Sequence, residues 1–440
     1  MKYFLFLFFI IIACSSKEKK VDLDFFRKEG EKINIFNEGF FAEEKNVTTS
    51  IKLSDVVKLN DWTTENYNIE SSTDHFQYDG KFKNIIKKNI GSLVNKFNQN
   101  GTLLHDGNIL YFGDEKGTIY KYDFSNNKIV WEQKIYDRSL NNIPKNISIT
   151  LYEGKIFASD SLGFIYSLDI LNGKVLWKEN FGVPFGSNIL VYKDAIYVLN
   201  QNSRLYSFDT SDGRKIWSFD SLSGVLKQSK SGKISTYRDK LLFSNDVGDL
   251  TALDLSKQEV LWTRNLISQN ILSFDNVFKI SNILINENDV FVSSNKSELL
   301  NLNLVTGAIK WSKKIISSND NVLNSRFLFT LTDNNFLICL NADSGEVIWS
   351  TNLSKKIPPI KKGSDIGILS TPKVNNIFGI ILGSDHLYVS STDGQIYKIS
   401  AINGKFISEK KVNNDLTNKP IIYKDKIAFL NESKELIFID

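Results

Sequence analysis

A fifteen-residue phrase recurs along the chain and constrains its fold more than any other feature. One copy, GFIYSLDILNGKVLW, runs from Gly163 to Trp177 and reads as a strand, a turn at Asn172-Gly173 and a returning strand. In six copies the first residue and a tryptophan lie 14 positions apart. A seventh copy ends in Ser408, and an eighth occupies residues 434–440. The six tryptophans are Trp131, Trp177, Trp217, Trp262, Trp311 and Trp349.

The spacing of the copies predicts one closed array rather than several ordinary domains. The first six copies start 38 to 49 residues apart, which is too short for each unit to fold alone. Each unit divides into four short strands that are nearly continuous in apolar residues, as expected where both faces of a sheet are covered. The segment FKNIIKKNIG, residues 82–91, alternates like an outer strand, and the last copy lacks such a strand. We therefore predict an all-β fold, an eight-bladed β-propeller of four-stranded antiparallel blades, closed by this N-terminal strand completing the last blade.

The repeated polar and aromatic positions are expected to be structural. A short polar side chain stands before each turn, where it can accept hydrogen bonds from turn amides. A tryptophan at one repeat position fits packing between adjacent blades, and a stacking platform for a ligand is the alternative. Trp62, outside the repeat, is expected to anchor the N-terminal segment to the body rather than to form a ligand site. The residues before the turns are Asp123, Asp169, Asp209, Asp254, Asn303 and Asn341.

The N-terminus has the pattern of an export signal. A positive start is followed by an apolar run from Tyr3 to Ile12, which is too short to span a bilayer as a mature helix. The run ends in IIAC, which resembles the lipobox of bacterial lipoproteins, and this resemblance implies that Cys14 carries the lipid anchor. A plain secretory signal is the alternative. Ser15 replaces the Asp that favours inner-membrane retention in that class, so the expected location is the periplasmic face of the outer membrane.

Composition narrows the function classes only slightly. A formal charge of +4 over 440 residues gives no support for a nucleic-acid partner. The two cysteines, Cys14 and Cys339, are too far apart in sequence to form a disulfide framework. We predict a lipoprotein signal peptide at residues 1–13, a lipid-anchored tether at 14–80 and the propeller at 81–440.

The phrase, written A/S-x-D-x-x-x-G-x-x-x-W, resembles the repeats of the quinoprotein dehydrogenase-like propellers. That superfamily holds quinone-dependent alcohol dehydrogenases and also binding scaffolds. Together with the lipobox, the eight expected blades and the stretch from Asp61 to Gly91, the chain is similar to the BamB family of outer-membrane assembly lipoproteins. The resemblance implies a non-catalytic scaffold, a monomer within the β-barrel assembly (BAM) complex, that binds the POTRA domains of BamA and assists insertion of nascent barrel proteins.

The enzymatic alternative requires groups that the sequence does not supply in a recognisable pattern. By the same resemblance, a quinone dehydrogenase holds its cofactor at the ring axis on a planar platform, often with a vicinal disulfide, and uses Ca²⁺ beside a catalytic Asp. No two cysteines are adjacent, and Cys339 lies in an apolar strand. His75, His105 and His386 lack metal-ligand spacing. We therefore predict no catalytic residue, no cofactor and no metal site, with a quinone-dependent enzyme as the alternative.

The resemblance also suggests where a partner would bind. In the family, loops between central blades carry the contact, through an L-x-L-R stretch and a nearby acidic loop. The matching stretch here, SGVLKQSKSGK at residues 223–233, places Leu226 and Lys227 at the second Leu and the Arg. Lysine lacks the bidentate fork of arginine. Asp275 stands for the acidic loop, and an ordinary exposed loop is the alternative for all three residues.

A basic stretch fits neither the repeat nor the family pattern. LSKKIPPIKKGSDIG, residues 353–367, holds four lysines around two prolines and could meet an anionic surface, while a solvated loop is the alternative. A third function class also stays open, an outer-membrane propeller lipoprotein that binds another envelope partner such as cell-wall glycan.

Overall fold

Each of the first seven copies of the repeat forms the outer half of one antiparallel sheet, and the eighth forms the third strand of the last sheet. The computed structural model describes residues 41–47, 49–90, 101–140, 143–225, 232–267, 277–356, 377–412, 415–433 and 435–440. Within these residues the strands form eight sheets, which we number as blades in chain order. The predicted eight-bladed all-β propeller is confirmed.

The first four blades use these strands, ordered from the ring axis outwards. Blade 1 has β1 (Asp61–Trp62), β3 (Leu104–Asp106), β4 (Ile109–Gly113), β5 (Thr118–Asp123) and β6 (Lys128–Lys134). Blade 2 has β7 (Ile147–Tyr152), β8 (Lys155–Asp160), β9 (Phe164–Asp169) and β10 (Val175–Asn180). Blade 3 has β11 (Leu190–Tyr192), β12 (Ala195–Leu199), β13 (Arg204–Asp209) and β14 (Lys215–Asp220). Blade 4 has β15 (Ile234–Tyr237), β16 (Lys240–Ser244), β17 (Asp249–Asp254) and β18 (Glu259–Asn265).

The last four blades follow the same order. Blade 5 has β19 (Leu284–Asn286), β20 (Asp289–Ser294), β21 (Ser297–Asn303) and β22 (Ile309–Lys313). Blade 6 has β23 (Val322–Asn324), β24 (Phe327–Leu331), β25 (Phe336–Asn341) and β26 (Val347–Asn352). Blade 7 has β27 (Ile377–Gly383), β28 (His386–Ser391), β29 (Gln395–Ser400) and β30 (Phe406–Lys411). Blade 8 has β31 (Ile421–Tyr423), β32 (Lys426–Leu430), β33 (Glu435–Ile439) and β2 (Ile85–Asn89). Single-turn 3-10 helices lie at Arg138–Leu140 and Leu353–Lys355.

The N-terminal strand closes the ring, as predicted. β2 pairs antiparallel with β33, with Ile86 opposite Phe438. This pairing continues beyond the two strands, because the amide of Lys83 donates to the Asp440 carbonyl oxygen at 2.7 Å. The chain therefore covers the edge of β33 that would otherwise be open to another strand.

Side chains before the turns cap the turn amides, which confirms their expected role. Asp169 Oδ1 accepts hydrogen bonds from the amides of Leu171 at 2.7 Å and Asn172 at 3.1 Å. The side chains of five more residues accept from turn amides in the same way. They are Asp123, Asp209, Asp254, Asn303 and Asn341.

A β-bulge, which the sequence did not reveal, interrupts the outer strands at the residue before the tryptophan, or before Ser408 in blade 7. In blade 2, Val175 pairs with Leu168 and Trp177 with Ser167, so Leu176 has no opposite partner. Blades 1 to 7 all show this register shift. Such bulges twist an edge strand and limit its pairing with other chains. The bulged residues are Val130, Leu176, Ile216, Leu261, Lys310, Ile348 and Ile407.

The tryptophans of the repeat lie against the next blade. The Nε1 of Trp311 donates to the Ala342 carbonyl oxygen at 2.8 Å, and a Cβ on Gly345 would lie 2.8 Å from the Trp311 ring. The turn residue beneath the ring therefore has to be small. The same donation to the next blade is made by Trp131, Trp177, Trp262 and Trp349.

The turns define two ends of the ring. We call the end with the turns from first to second and third to fourth strands the hairpin end. We call the end with the second-to-third turns and the connections between blades the loop end. The core lies between neighbouring blades, as where Phe157 of blade 2 shares a buried cluster with Ile196 and Phe208 of blade 3.

Candidate functional site

The candidate site is the ring axis, where the backbone groups on the inner edges of the first strands are not bonded within their own blades. A segment from the N-terminal part of the chain bonds to these groups. Asp61 of β1 pairs with Asp106 of β3, and Trp62 of β1 pairs with His105 of β3. The Leu151 amide of blade 2 then donates to the Thr63 carbonyl oxygen at 2.8 Å.

The same segment continues around the inside of the ring. The Thr236 amide of blade 4 donates to the Ile69 carbonyl oxygen at 2.8 Å, and the Ile285 amide of blade 5 donates to that of Glu70 at 3.0 Å. At blade 7, the Ser384 amide donates to the Phe76 carbonyl oxygen at 3.0 Å. We call residues 61–78 the axial plug. Because the partners lie near the ends of the first strands, the plug fills the axis towards the hairpin end.

Three aromatic rings hold the plug together. The centroid of the Trp62 ring lies 5.4 Å from that of Tyr67 and 5.6 Å from that of Phe76, and the Tyr67 and Phe76 centroids lie 4.8 Å apart. Trp62 and Phe76 are fully buried. Such contacts add to the stabilisation from burial. Trp62 thus lies where an anchor between the N-terminal segment and the propeller would be expected.

Charged groups meet on the loop-end side of the plug. Lys233, Asp320 and Lys419 come just before the first strands of blades 4, 6 and 8. The Nζ of Lys233 lies 3.8 Å from Glu65 Oε1 of the plug and 4.0 Å from Asp320 Oδ1, and Lys419 forms an ion pair with Asp320. We call Glu65, Lys233, Asp320 and Lys419 the axial ion-pair network. It links the plug to three blades that are far apart in sequence.

Neutral hydrogen bonds complete the contact between plug and ring. The hydroxyls of Ser71 and Ser235 lie 2.6 Å apart, and both residues are buried. The side-chain amide of Asn282 donates to the Ser71 carbonyl oxygen at 2.8 Å and to the Asn321 carbonyl oxygen at 3.0 Å. These bonds satisfy the hydroxyl and the carbonyl oxygen of Ser71, which the plug buries against the ring.

The described axial residues do not fit the quinone and Ca²⁺ chemistry of the dehydrogenases. The Glu65 and Asp320 carboxylates are engaged by the lysines of the network. Within the described ranges, no three His, Cys, Asp or Glu side chains lie together as a metal site would require. Cys339 is a free, buried thiol in blade 6, and burial raises its pKa, which keeps it unreactive.

Each of the three histidines has a structural partner. The Asp385 amide donates to His75 Nε2 at 3.0 Å, so His75 Nδ1 carries the proton towards the Ser54 carbonyl oxygen at 2.8 Å. His386 Nδ1 lies 2.6 Å from the Ser384 carbonyl oxygen. His105 bonds across the seam between blades 1 and 8.

The residues predicted to carry lipid or contact a partner lie outside the described residues. These are Cys14, Leu226, Lys227 and Asp275, which remain predictions, as does most of the basic stretch at 353–367. The described end of that stretch is involved in local contacts, because Lys355 pairs with Glu44 and Lys356 lies over the Phe406 ring.

Sequence reasoning missed the axial network. Lys233 ends the stretch 223–233 that was predicted to contact a partner, and nothing in the sequence linked Asp320 or Lys419 to the plug. A lone lysine or aspartate before each first strand is a weak signal by itself. Their convergence follows from the ring, which brings the starts of alternate blades to one axis.

A search of the described residues for helices long and apolar enough to cross a membrane finds none.

Comparison with known proteins finds a curated protein with a similar sequence and solved structures with a similar fold. BamB of Yersinia pestis is 19% identical over 191 residues, which span 42% of this chain and 44% of that protein, so less than half of the curated relative is matched. The crystal structure of BamB from Moraxella catarrhalis superposes with a TM-score of 0.63 at 14% identity, over 80% of this chain and 99% of that one. The quinohemoprotein alcohol dehydrogenase from Comamonas testosteroni also gives 0.63, at 11% identity over 86% and 80% of the two chains.

Likeness at such identities shows the fold alone, and the family rests on a sequence match. A family model described as "Outer membrane protein assembly factor BamB" matches residues 92–178 and 116–351. Together these ranges span more than half of the 440 residues. The resemblance inferred from the repeat is therefore confirmed, and this chain belongs to the BamB family of PQQ-repeat β-propellers.

Proposed function

We propose that this chain is a non-catalytic scaffold lipoprotein of the outer-membrane β-barrel assembly complex. In this role it binds the POTRA domains of BamA and assists the folding and insertion of barrel proteins. The family match carries the proposal. The axial ion-pair network adds support, since its lysines engage the Glu65 and Asp320 carboxylates on the described part of the axis.

The proposed contact falls in the stretch of sequence that connects blade 3 to blade 4. Leu226 and Lys227 are its central residues, and Asp275 belongs to the neighbouring acidic loop. The adjoining described residues suit this role, because Val225 is 96% exposed and Leu222 is also well exposed. Exposed apolar side chains next to a basic residue are typical of a protein-binding surface.

Retention of purified BamA POTRA domains on the immobilised full chain tests the contact. The double variant Leu226→Ala with Lys227→Glu should lose retention while keeping its fold. Leu171→Ala is the matched control, because Leu171 is 74% exposed but lies in a turn at the hairpin end. Retention should survive that change. Unchanged retention by the double variant would discard this site, and no retention by the original chain would discard the BamA partnership and favour another envelope partner such as cell-wall glycan.

The proposed anchor is the lipid on Cys14, with residues 1–13 removed and residues 14–80 leading to the propeller. Several acyl chains give stable membrane attachment. Mass spectrometry of the mature N-terminus should find an acylated Cys14, and Cys14→Ser should move the chain from the outer-membrane fraction to the soluble periplasm. An unmodified N-terminus would contradict the anchor. Incubation with quinone and Ca²⁺ followed by dye reduction checks the enzymatic alternative, for which we expect no activity.

A further inference from the structure

The outer strand of blade 6 is covered by residues from the N-terminal part of the chain. Its bulged residue Ile348 is only 4% exposed. The residues at the same place in blades 1, 2, 3 and 7 are 44 to 48% exposed, and they are Val130, Leu176, Ile216 and Ile407. Ile348 shares a buried cluster with Ile51 and Leu53, so the N-terminal part of the chain covers this edge.

Residues 41–47, which we call the cis segment, pair with this outer strand. The Ser350 amide donates to the Lys45 carbonyl oxygen at 2.9 Å, and the Lys45 amide donates to the Ser350 carbonyl oxygen at 3.3 Å and to its Oγ at 2.8 Å. Ser350 Oγ also donates to the Glu43 carbonyl oxygen. This is β-augmentation within one chain. The antiparallel pairing lies in the part of β26 that follows the bulge at Ile348.

Side chains on both sides of the Lys45–Ser350 pairing contact Phe41 and Glu44 of the cis segment. We call the surface of blade 6 that makes these contacts the groove. The Phe41 ring meets the Phe336 ring edge-on, with centroids 5.6 Å apart, and the Asn334 side chain donates to the Phe41 carbonyl oxygen at 2.8 Å. Three residues further on, the Glu44 carboxylate accepts from the Asn352 amide at 3.2 Å and pairs with Lys355. The groove thus binds an extended segment that carries an aromatic ring and, three residues later, a carboxylate.

The cis segment is held loosely enough to exchange. One residue of the segment pairs with the strand, whereas β25 pairs along five residues with β24 on one side and along five with β26 on the other. The Glu44 and Lys355 side chains are 45% and 64% exposed, so water and salt screen their attraction. An occupant with such contacts can open while the blade stays folded.

We propose that the outer strand of blade 6 is a peptide-docking site that the cis segment occupies and can vacate. Its partner in trans is an extended polypeptide segment with an aromatic side chain three residues before a carboxylate. The site consists of Asn334, Phe336, Ser350, Asn352 and Lys355, and it is independent of the proposed BamA contact.

The test uses the full chain and a labelled peptide, FAEEKNV, with the sequence of residues 41–47. Phe41→Ser with Lys45→Pro removes the ring and the amide through which the cis segment binds, so the groove is left open. We expect saturable binding by fluorescence anisotropy to this opened chain. Binding to the unmodified chain should be roughly tenfold weaker, because its cis segment competes.

Two proline variants of the opened chain make the test specific. Ser350→Pro removes the amide that donates to the peptide, and an edge strand tolerates the change. Ser218→Pro is the matched control, because Ser218 holds the equivalent place in the outer strand of blade 3. We expect binding to be lost in the first variant and kept in the second, with unchanged circular dichroism in both. Equal binding to the two proline variants, or no saturable binding to the opened chain, overturns the proposal.

Discussion

The Nε2 of His105, in β3 of blade 1, lies 3.0 Å from the carbonyl oxygen of Ile422, in β31 of blade 8. This bond crosses the seam where the ring closes. The His105 ring is buried and meets the Tyr423 ring edge-on, with centroids 5.1 Å apart. Burial lowers the pKa of His105 from 6.5 to about 4.

The lowered pKa predicts that acid weakens the seam. Between pH 6.5 and 4 the unfolded chain binds a proton at His105 that the folded chain does not, so stability falls as the pH falls. Lowering the pH from 7 to 5 should remove roughly 2 kcal/mol of the free energy of unfolding through this group. Urea titrations at both pH values should show that His105→Gln shrinks the pH effect by about that amount. His386→Gln is the control, because burial also lowers the pKa of His386, but that histidine is more exposed and does not bridge blades 1 and 8. If both substitutions reduced the pH effect equally, the seam argument would be contradicted.

Gln258 should be a weak point of the repeat. It adopts a φ of 57° in the turn of blade 4, where Gly173 of blade 2 has a φ of 75°. A non-glycine residue in this conformation is strained, so Gln258→Gly should raise the free energy of unfolding by about 0.5–1 kcal/mol. The opposite change, Gly213→Ala, should lower it by about 1–3 kcal/mol, because its Cβ would lie 2.5 Å from the Trp177 ring. Urea denaturation followed by tryptophan fluorescence measures both, and a loss of stability in Gln258→Gly would refute the strain.

Phe438 should hold the seam closed. Its buried ring lies 4.7 Å from the Phe124 ring of blade 1 and 5.7 Å from the Tyr423 ring, centroid to centroid. Phe438→Ala should cost about 3–5 kcal/mol and speed hydrogen exchange in residues 85–89. Phe329→Ala, a buried phenylalanine in blade 6, should cost a similar amount without that local effect. Equal exchange at residues 85–89 in the two variants would mean that the seam does not open locally.

The axial ion-pair network should contribute more than ion pairs on the rim. Asp320 is 14% exposed and faces both Lys233 and Lys419. Asp320→Asn leaves two partly buried lysines poorly compensated and should cost about 1–3 kcal/mol. Asp239→Asn breaks an exposed pair with Lys193 and should cost clearly less, because solvent screens that pair. The comparison is made by urea denaturation, and similar costs for both changes would show that the network is ordinary surface charge.

The repeat allowed the blades to be predicted because its information is local. Each phrase contains its own strands, turn and capping side chain, so the pattern around Asp169 and Gly173 could be read without neighbours. The missing outer strand of the last copy made the closure by residues 82–91 predictable as well, and β2 lies opposite β33. The bulges escaped prediction because Leu176 continues the apolar pattern of its strand.

The sequence by itself determined the number of blades, the fold and the family of this protein. Only the tertiary structure decided what fills the axis and what covers blade 6. The plug bonds mainly to backbone groups, which every sequence carries, and its partners are far away in the chain, as Phe76 and Ser384 are. Backbone pairing at such separations leaves no periodic trace, so residues 41–78 could be placed only once the ring had brought its first strands together.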